Sequence, residues 1–183
     1  MSGFLFALLA VFVAGIGARD QLLVAALSAR QGARPMALLV ALLCVVASGG
    51  IAASFADLAL PRMGPVQRQI FAALALGLAA LEMLLARKTR VPDEPTHSLG
   101  AFAIVLFAQQ LTDAARFLIF AIAAGTSAVV PAGLGGMVGG AGVVAAGWLG
   151  GEQMLARNLG PVRRGLGLLL LLVALWTGWN ARG

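Results

Sequence analysis

Long apolar runs separated by short polar turns dominate the chain, and they predict its secondary structure. A run of about 20 apolar residues crosses the hydrocarbon core of a bilayer as a helix. Six runs reach that length, at residues 4–29, 36–60, 66–86, 99–124, 132–151 and 162–179. The first is expected to break at Gly15 or Gly17, because glycine weakens a helix. The pattern therefore predicts an all-α integral membrane protein with six transmembrane helices.

Composition supports the same class and excludes others. The 183 residues are 61% hydrophobic and only 11% charged, whereas a soluble domain is about 25% charged. The net charge of +6 does not indicate a nucleic-acid partner, because the basic residues fall in short turns and form no basic face. No nucleophile–base pair or metal triad is apparent, so we do not expect an enzyme. The expected partner is the lipid bilayer.

An internal repeat divides the chain into two halves. The segment Met63-Gly64-Pro65-Val66-Gln67-Arg68 recurs 96 positions later as Leu159-Gly160-Pro161-Val162-Arg163-Arg164. We predict one three-helix repeat at residues 1–90, a polar linker at 91–98 and a second repeat at 99–183. An odd number of spans gives the two copies opposite orientations, as in the inverted repeats of secondary transporters. In the fifth run, glycines four residues apart favour close helix packing.

Polar residues inside the fourth run mark the candidate site. Residues 109–117 include Gln109, Gln110, Thr112, Asp113 and Arg116 in an otherwise apolar run. Such groups are costly near the midplane of a membrane, so they are functional candidates. The repeat relates this stretch to residues 15–22 and thereby predicts that Asp20 and Asp113 approach one central cavity. Alternatively, Asp113 and Arg116, one helical turn apart, form an ion pair that only holds the helices together.

This layout resembles the Golgi-type manganese/calcium-proton exchanger family of the lysine-exporter superfamily. The family signature is Glu-x-Gly-Asp-Lys/Arg-Thr/Ser, usually followed by Gln, in the first helix of each half. The corresponding residues of the first half are Gly15, Gly17, Ala18, Arg19, Asp20 and Gln21. Those of the second half are Gln110, Thr112, Asp113, Ala114, Ala115 and Arg116. Gly17, Arg19, Gln21 and Asp113 match the signature.

The resemblance implies a secondary transporter of a divalent cation, manganese or calcium, coupled to protons and without a resident cofactor. Such a cation prefers oxygen ligands. The expected metal ligands are Asp113 and Asp20, with neutral oxygens from Gln109, Gln110 and Thr112 and counter-charges from Arg19 and Arg116.

Two other functions stay open. The chain is either a non-transporting partner subunit of an intact homologue, in a homo- or hetero-oligomer with a related membrane protein, or an exporter of a small organic or anionic solute. In the second case, Arg19 and Arg116 would bind the charge of the substrate.

The distribution of basic residues predicts the orientation of the spans. Cytoplasmic loops carry an excess of Lys and Arg. Loops one, three and five contain eight such residues, against three on the other side. We therefore expect a multi-pass protein of the inner cell membrane with those three loops in the cytoplasm and both termini outside.

Cysteine labelling in intact cells tests this orientation. A cysteine introduced at His97 should be protected from an impermeant thiol reagent, whereas one placed near Arg182 should react. Labelling of the His97 position from outside would contradict the orientation predicted from the loop charges.

Overall fold

Eight α-helices and one short 3-10 turn form the part of the chain that the computed structural model describes, residues 2–85 and 98–181. No strand occurs within these two segments, which confirms the all-α class. The first four helices are α1 (Ser2–Ala14), α2 (Arg19–Gln31), α3 (Pro35–Ala59) and α4 (Pro65–Leu85), with the 3-10 turn at Leu60–Arg62. The next four are α5 (Leu99–Leu111), α6 (Ala114–Thr126), α7 (Val129–Ala156) and α8 (Gly160–Asn180).

Four of these helices are long and apolar enough to cross a membrane, namely α3, α4, α7 and α8. The number rises to six if α1 with α2 and α5 with α6 each count as one bent span. Large apolar side chains such as Leu85, Leu149 and Trp179 are exposed on the helix surfaces. A surface of that kind is stable against lipid rather than water, so the fold is consistent with a multi-pass membrane protein.

The prediction of helix breaks from the sequence is right for the first bent pair and wrong for the second. The break predicted at Gly15 or Gly17 is confirmed: α1 ends at Ala14, α2 begins at Arg19, and the helices differ by 60° in direction. Residues 99–124 were expected to form one continuous helix, and this was wrong. The chain bends by 46° between α5 and α6, where Asp113 accepts a hydrogen bond from the backbone N–H of Ala115. Asp113 is thus the N-cap of a new helix.

Glycines let α7 pack backbone to backbone against α1 and α2. A Cβ atom added at Gly135 would lie 2.1 Å from the carbonyl oxygen of Phe4, and one at Gly139 would lie 2.5 Å from that of Leu8. These distances leave no room for a side chain, so the predicted close packing at this glycine spacing is confirmed there. The helix also kinks at Gly151, whose φ is 42°.

The order of the elements repeats once along the chain. Helices α1 to α4 have 13, 13, 25 and 21 residues, and α5 to α8 have 13, 13, 28 and 21. Each series begins with a bent pair. Equivalent helices pack on each other as α3 with α7 and α4 with α8. The predicted linker lies outside the described residues except for Ser98, the N-cap of α5, and His97 and Arg182 also lie outside them.

The glycine contact predicts a steric effect on stability. Gly135→Ala should lower the free energy of unfolding by about 1–3 kcal/mol, because the added methyl group pushes α7 away from α1. A thermal melt in detergent checks this. Gly77→Ala is the matched control, since that position lies inside α4 with open space around it. The control should melt at the same temperature or slightly higher, because alanine favours the helix. Equal melting of the two variants would contradict the packing described.

Candidate functional site

The two helix breaks are closed by different side chains. In the second half, Asp113 caps α6 from the break itself. In the first half, the N-cap of α2 is Ala18, which has no side-chain acceptor. Gln21 bridges this break in another way: its Oε1 accepts a hydrogen bond from the N–H of Gly17 (2.8 Å), which precedes the N-cap, and its Nε2 donates to the carbonyl oxygen of Val143 (3.2 Å). Gln21 is therefore a structural residue of the break that the sequence left without a role.

Both breaks place a carboxylate at a helix N-terminus. Asp113 is the N-cap of α6, and Asp20 lies in the first turn of α2, where its Oδ1 accepts from the N–H of Gln21 (2.7 Å). The unpaired N–H groups at a helix N-terminus stabilise negative charge. Both side chains are buried, and Asp20 interacts electrostatically with Asp113, Arg116 and Arg163. The structure thus brings Asp20 and Asp113 into one buried group of charges.

A chain of hydrogen bonds links Arg116 to Asp20 through two neutral side chains. The Ser48 hydroxyl on α3 accepts from Nε of Arg116 (3.0 Å) and from its Nη2. The hydroxyl donates in turn, with its one hydrogen shared between the carbonyl oxygen of Cys44 (2.7 Å) and Oε1 of Gln110 (3.1 Å). Nε2 of Gln110 then donates to Oδ2 of Asp20 (3.5 Å). Ser48 and Gln110 are almost fully buried. They carry the contact between the two charges without a direct ion pair.

A second chain of contacts runs through Arg163. Its Nη2 forms ion pairs with Oε2 of Glu82 and with Oδ1 of Asp113, the latter at 3.5 Å. Its Nη1 donates to the carbonyl oxygen of Ala14 at the end of α1 (3.0 Å). Oε1 of Glu82 pairs in turn with Arg19 at 3.2 Å. Arg163 on α8 therefore joins α1, α4 and α6.

These contacts correct the predicted pairing of Asp113. The alternative proposed from the sequence paired Asp113 with Arg116, one turn away. The structure pairs Asp113 with Arg163 instead, and Arg116 has no carboxylate within 4.0 Å in residues 2–85 and 98–181. The reason is the helix break. Asp113 precedes the first turn of α6 and its carboxylate turns back onto the backbone, so the regular i, i+3 geometry is not available.

The other predicted site residues differ in burial, and only some of them lie in the buried group of charges. Gln110 lies in the cluster, whereas Thr112 is exposed and its hydroxyl donates to the backbone oxygen of Gln109 (3.3 Å). Gln109 is half-buried, and its Oε1 has no hydrogen-bond donor in the part of the chain described. Arg19 sits at the rim with 38% of its side chain exposed. Glu82 and Arg163 were missed because both adjoin predicted loops, and Arg163 was counted as a cytoplasmic loop charge.

The cluster of Asp20, Glu82, Asp113, Arg19, Arg116 and Arg163, named here the charge cluster, is electrically balanced. It contains three carboxylates and three guanidinium groups. Within the described residues, no three His, Cys, Asp or Glu side chains are grouped so that they could hold a metal ion. A divalent cation would add two positive charges to this balanced set, and burying charge without compensation is costly.

One side of Arg116 faces an open groove between α3, α4 and α6. The groove has a volume of about 430 Å³, and among the residues that the structure describes only Ser48 and Arg116 line it with polar side chains. Arg116 is 6% exposed. The Arg116 side chain forms hydrogen bonds to Ser48 through Nε and Nη2, and its Nη1 forms none to any described residue. Nη1 is not among the fully buried unpaired atoms of the described residues, so this donor is both accessible and without a described partner.

Comparisons with protein-family models, with curated proteins and with solved structures return no match for this chain.

Arg163 should be the most sensitive charge of the cluster. Arg163→Gln leaves Glu82 and Asp113 buried without this partner, so we expect the free energy of unfolding to fall by about 3–5 kcal/mol. Thermal or denaturant unfolding in detergent measures the change. The neighbouring Arg164→Gln removes the same charge from an exposed position and should have little effect. Equal unfolding curves for the two variants would show that the Arg163 contacts do not stabilise the fold.

Proposed function

We propose that this chain is a secondary transporter of a small organic anion, with Arg116 as the group that binds the anion. The unpaired side of Arg116 is the observation that carries this proposal. Each carboxylate of the charge cluster is engaged by a guanidinium, an amide or a backbone N–H, whereas Arg116 has a hydroxyl as its only partner among the described residues. An anion at Nη1 would accept a charge-assisted hydrogen bond from a guanidinium that forms no direct ion pair with a described carboxylate.

The broken helices support transport as the activity. In secondary transporters, discontinuous helices place positive half-helix N-termini at the anionic part of a substrate. Here α2 and α6 both begin at the charge cluster, and Arg116 lies in the first turn of α6. Ionisable groups inside a membrane are functional-site candidates by default, because they are costly at that depth.

We place the site within two inverted three-helix repeats of a six-span protein in the inner cell membrane, with both termini outside. The repeated element order and the pairing of α3 with α7 and α4 with α8 support this plan. The bent pair of each half also packs on the third helix of the other half. Helices α1 and α2 contact α7, and helices α5 and α6 contact α3. Without the buried Arg163, the loop charges remain seven against three in favour of this orientation.

Exchange of manganese or calcium for protons is the second candidate function. It is favoured by the meeting of Asp20 and Asp113 in one buried cluster, as the resemblance to the cation exchangers implies. In this case a cation would have to take the place of Arg163 at Asp113. The two functions differ in the effect expected from Arg116, because its positive charge attracts an anion and repels a cation.

Uptake into proteoliposomes separates the two functions. The purified protein is tested with organic anions, manganese and calcium, with and without a proton gradient. We expect uptake of an organic anion, lost in Arg116→Gln and retained in Arg34→Gln, whose arginine is exposed. Manganese or calcium uptake that increases in Arg116→Gln would support the cation exchanger instead. Absence of uptake for every solute would contradict both and favour a non-transporting partner subunit.

A further inference from the structure

The groove beside Arg116 combines a single positive charge with an aromatic wall. Phe55, Phe71, Phe117 and Phe120 line it, and the rest of its lining apart from Ser48 and Arg116 is aliphatic. Its volume of about 430 Å³ lies within the range of small-molecule sites, roughly 300–1,000 Å³. A ligand that fits this lining has one anionic group and an apolar body, and a strongly hydrated ion such as acetate would leave the apolar surface unused.

The free donor of Arg116 favours a ligand with a single negative charge. Arg116 lines the groove, is more than nine-tenths buried, and has an accessible Nη1 without a hydrogen-bond partner among the described residues. A carboxylate accepts from a guanidinium N–H group in a charge-assisted hydrogen bond, and a monoanion adds the smallest negative charge to the balanced cluster. Ser48 already occupies Nε and Nη2, so the ligand would bind through Nη1.

We propose that the groove binds an aromatic monocarboxylate, with its carboxylate on Arg116 and its ring among the four phenylalanines. This inference rests on the anion site proposed above and names the substrate class of that site. Aromatic rings attract each other in offset or edge-to-face contacts beyond the gain from burying their area. A planar acid therefore uses both parts of the lining, whereas an acid without an apolar body uses only Arg116.

The outer wall of the groove indicates how such a ligand arrives. Phe55, Leu74 and Leu78 line the groove and are also exposed on the helix surface, 66%, 58% and 49% respectively. That surface faces lipid in a membrane-spanning fold. The groove is consequently open sideways to the bilayer, and a ligand with an apolar body, which partitions into lipid, reaches it from there.

Equilibrium binding to the protein in nanodiscs of zwitterionic lipid tests this proposal. The probe is radiolabelled phenylacetate, and the unlabelled competitors are acetate and phenylethylammonium. Phenylacetate should bind, acetate should compete about tenfold or more weakly because it lacks the ring, and phenylethylammonium should not compete. Competition by phenylethylammonium as strong as that by unlabelled phenylacetate would overturn the proposal, because the ring alone would then carry the binding.

Two variants separate the anion site from the aromatic site. Arg116→Gln should weaken phenylacetate binding by about 30-fold or more. Phe71→Ala should weaken phenylacetate but not acetate, and the control Phe6→Ala, an exposed phenylalanine on α1, should change neither. Equal binding of acetate and phenylacetate, both lost in Arg116→Gln, would overturn the aromatic class and leave the anion site intact.

Phenylacetate binding that is unchanged in Arg116→Gln would overturn both proposals. Size-exclusion chromatography checks that each variant is folded. If Arg116→Gln does not fold, the competition series on the unchanged protein and the comparison of Phe71→Ala with Phe6→Ala still decide the aromatic class.

Discussion

A charged side chain in an apolar interior needs an opposite charge or several hydrogen-bond partners, because removing it from water costs several kcal/mol. The arrangement of the helices around Arg163 follows from this requirement. The guanidinium has contacts to Ala14, Glu82 and Asp113, which belong to α1, α4 and α6, while the residue itself lies on α8. Four helices are thereby held at one point. The same point lies beside both helix breaks, where the backbone itself offers unpaired N–H groups.

The two halves reach a similar shape by different chemistry. At positions 95 residues apart, Asp113 caps α6 with its own carboxylate, whereas Ala18 has no such group. In the first half, Gln21 from inside α2 reaches back to Gly17, whose positive φ of 73° opens the turn. The carboxylate of the first half belongs to Asp20, two residues after the N-cap Ala18. The cluster is therefore asymmetric, and the balance between its charges depends on Arg163 and Glu82, which lie outside the repeated polar stretches.

Local pattern predicted the helices and the first break, because apolar run length and glycine position act over a few residues. The approach of Asp20 to Asp113 was predicted from the internal repeat instead. The second break was missed although Thr112 and Asp113 are residue types that favour helix caps, since the surrounding apolar run suggested a continuous span. Arg163 follows a Gly-Pro turn and has the sequence context of a loop charge. Its burial results from tertiary packing, in which Leu159 lies against Gly17 and brings the start of α8 to the first break. No local pattern contains that contact.

Glu82 and Arg163 stabilise each other as members of one balanced cluster. A double-mutant cycle in detergent measures this directly, with Glu82→Gln, Arg163→Gln and the double variant unfolded under the same conditions. We expect the double variant to be more stable than the sum of the single effects implies, by about 0.5–3 kcal/mol, because each single change removes one of the partners of a buried charge. Additive effects of the two substitutions would contradict it.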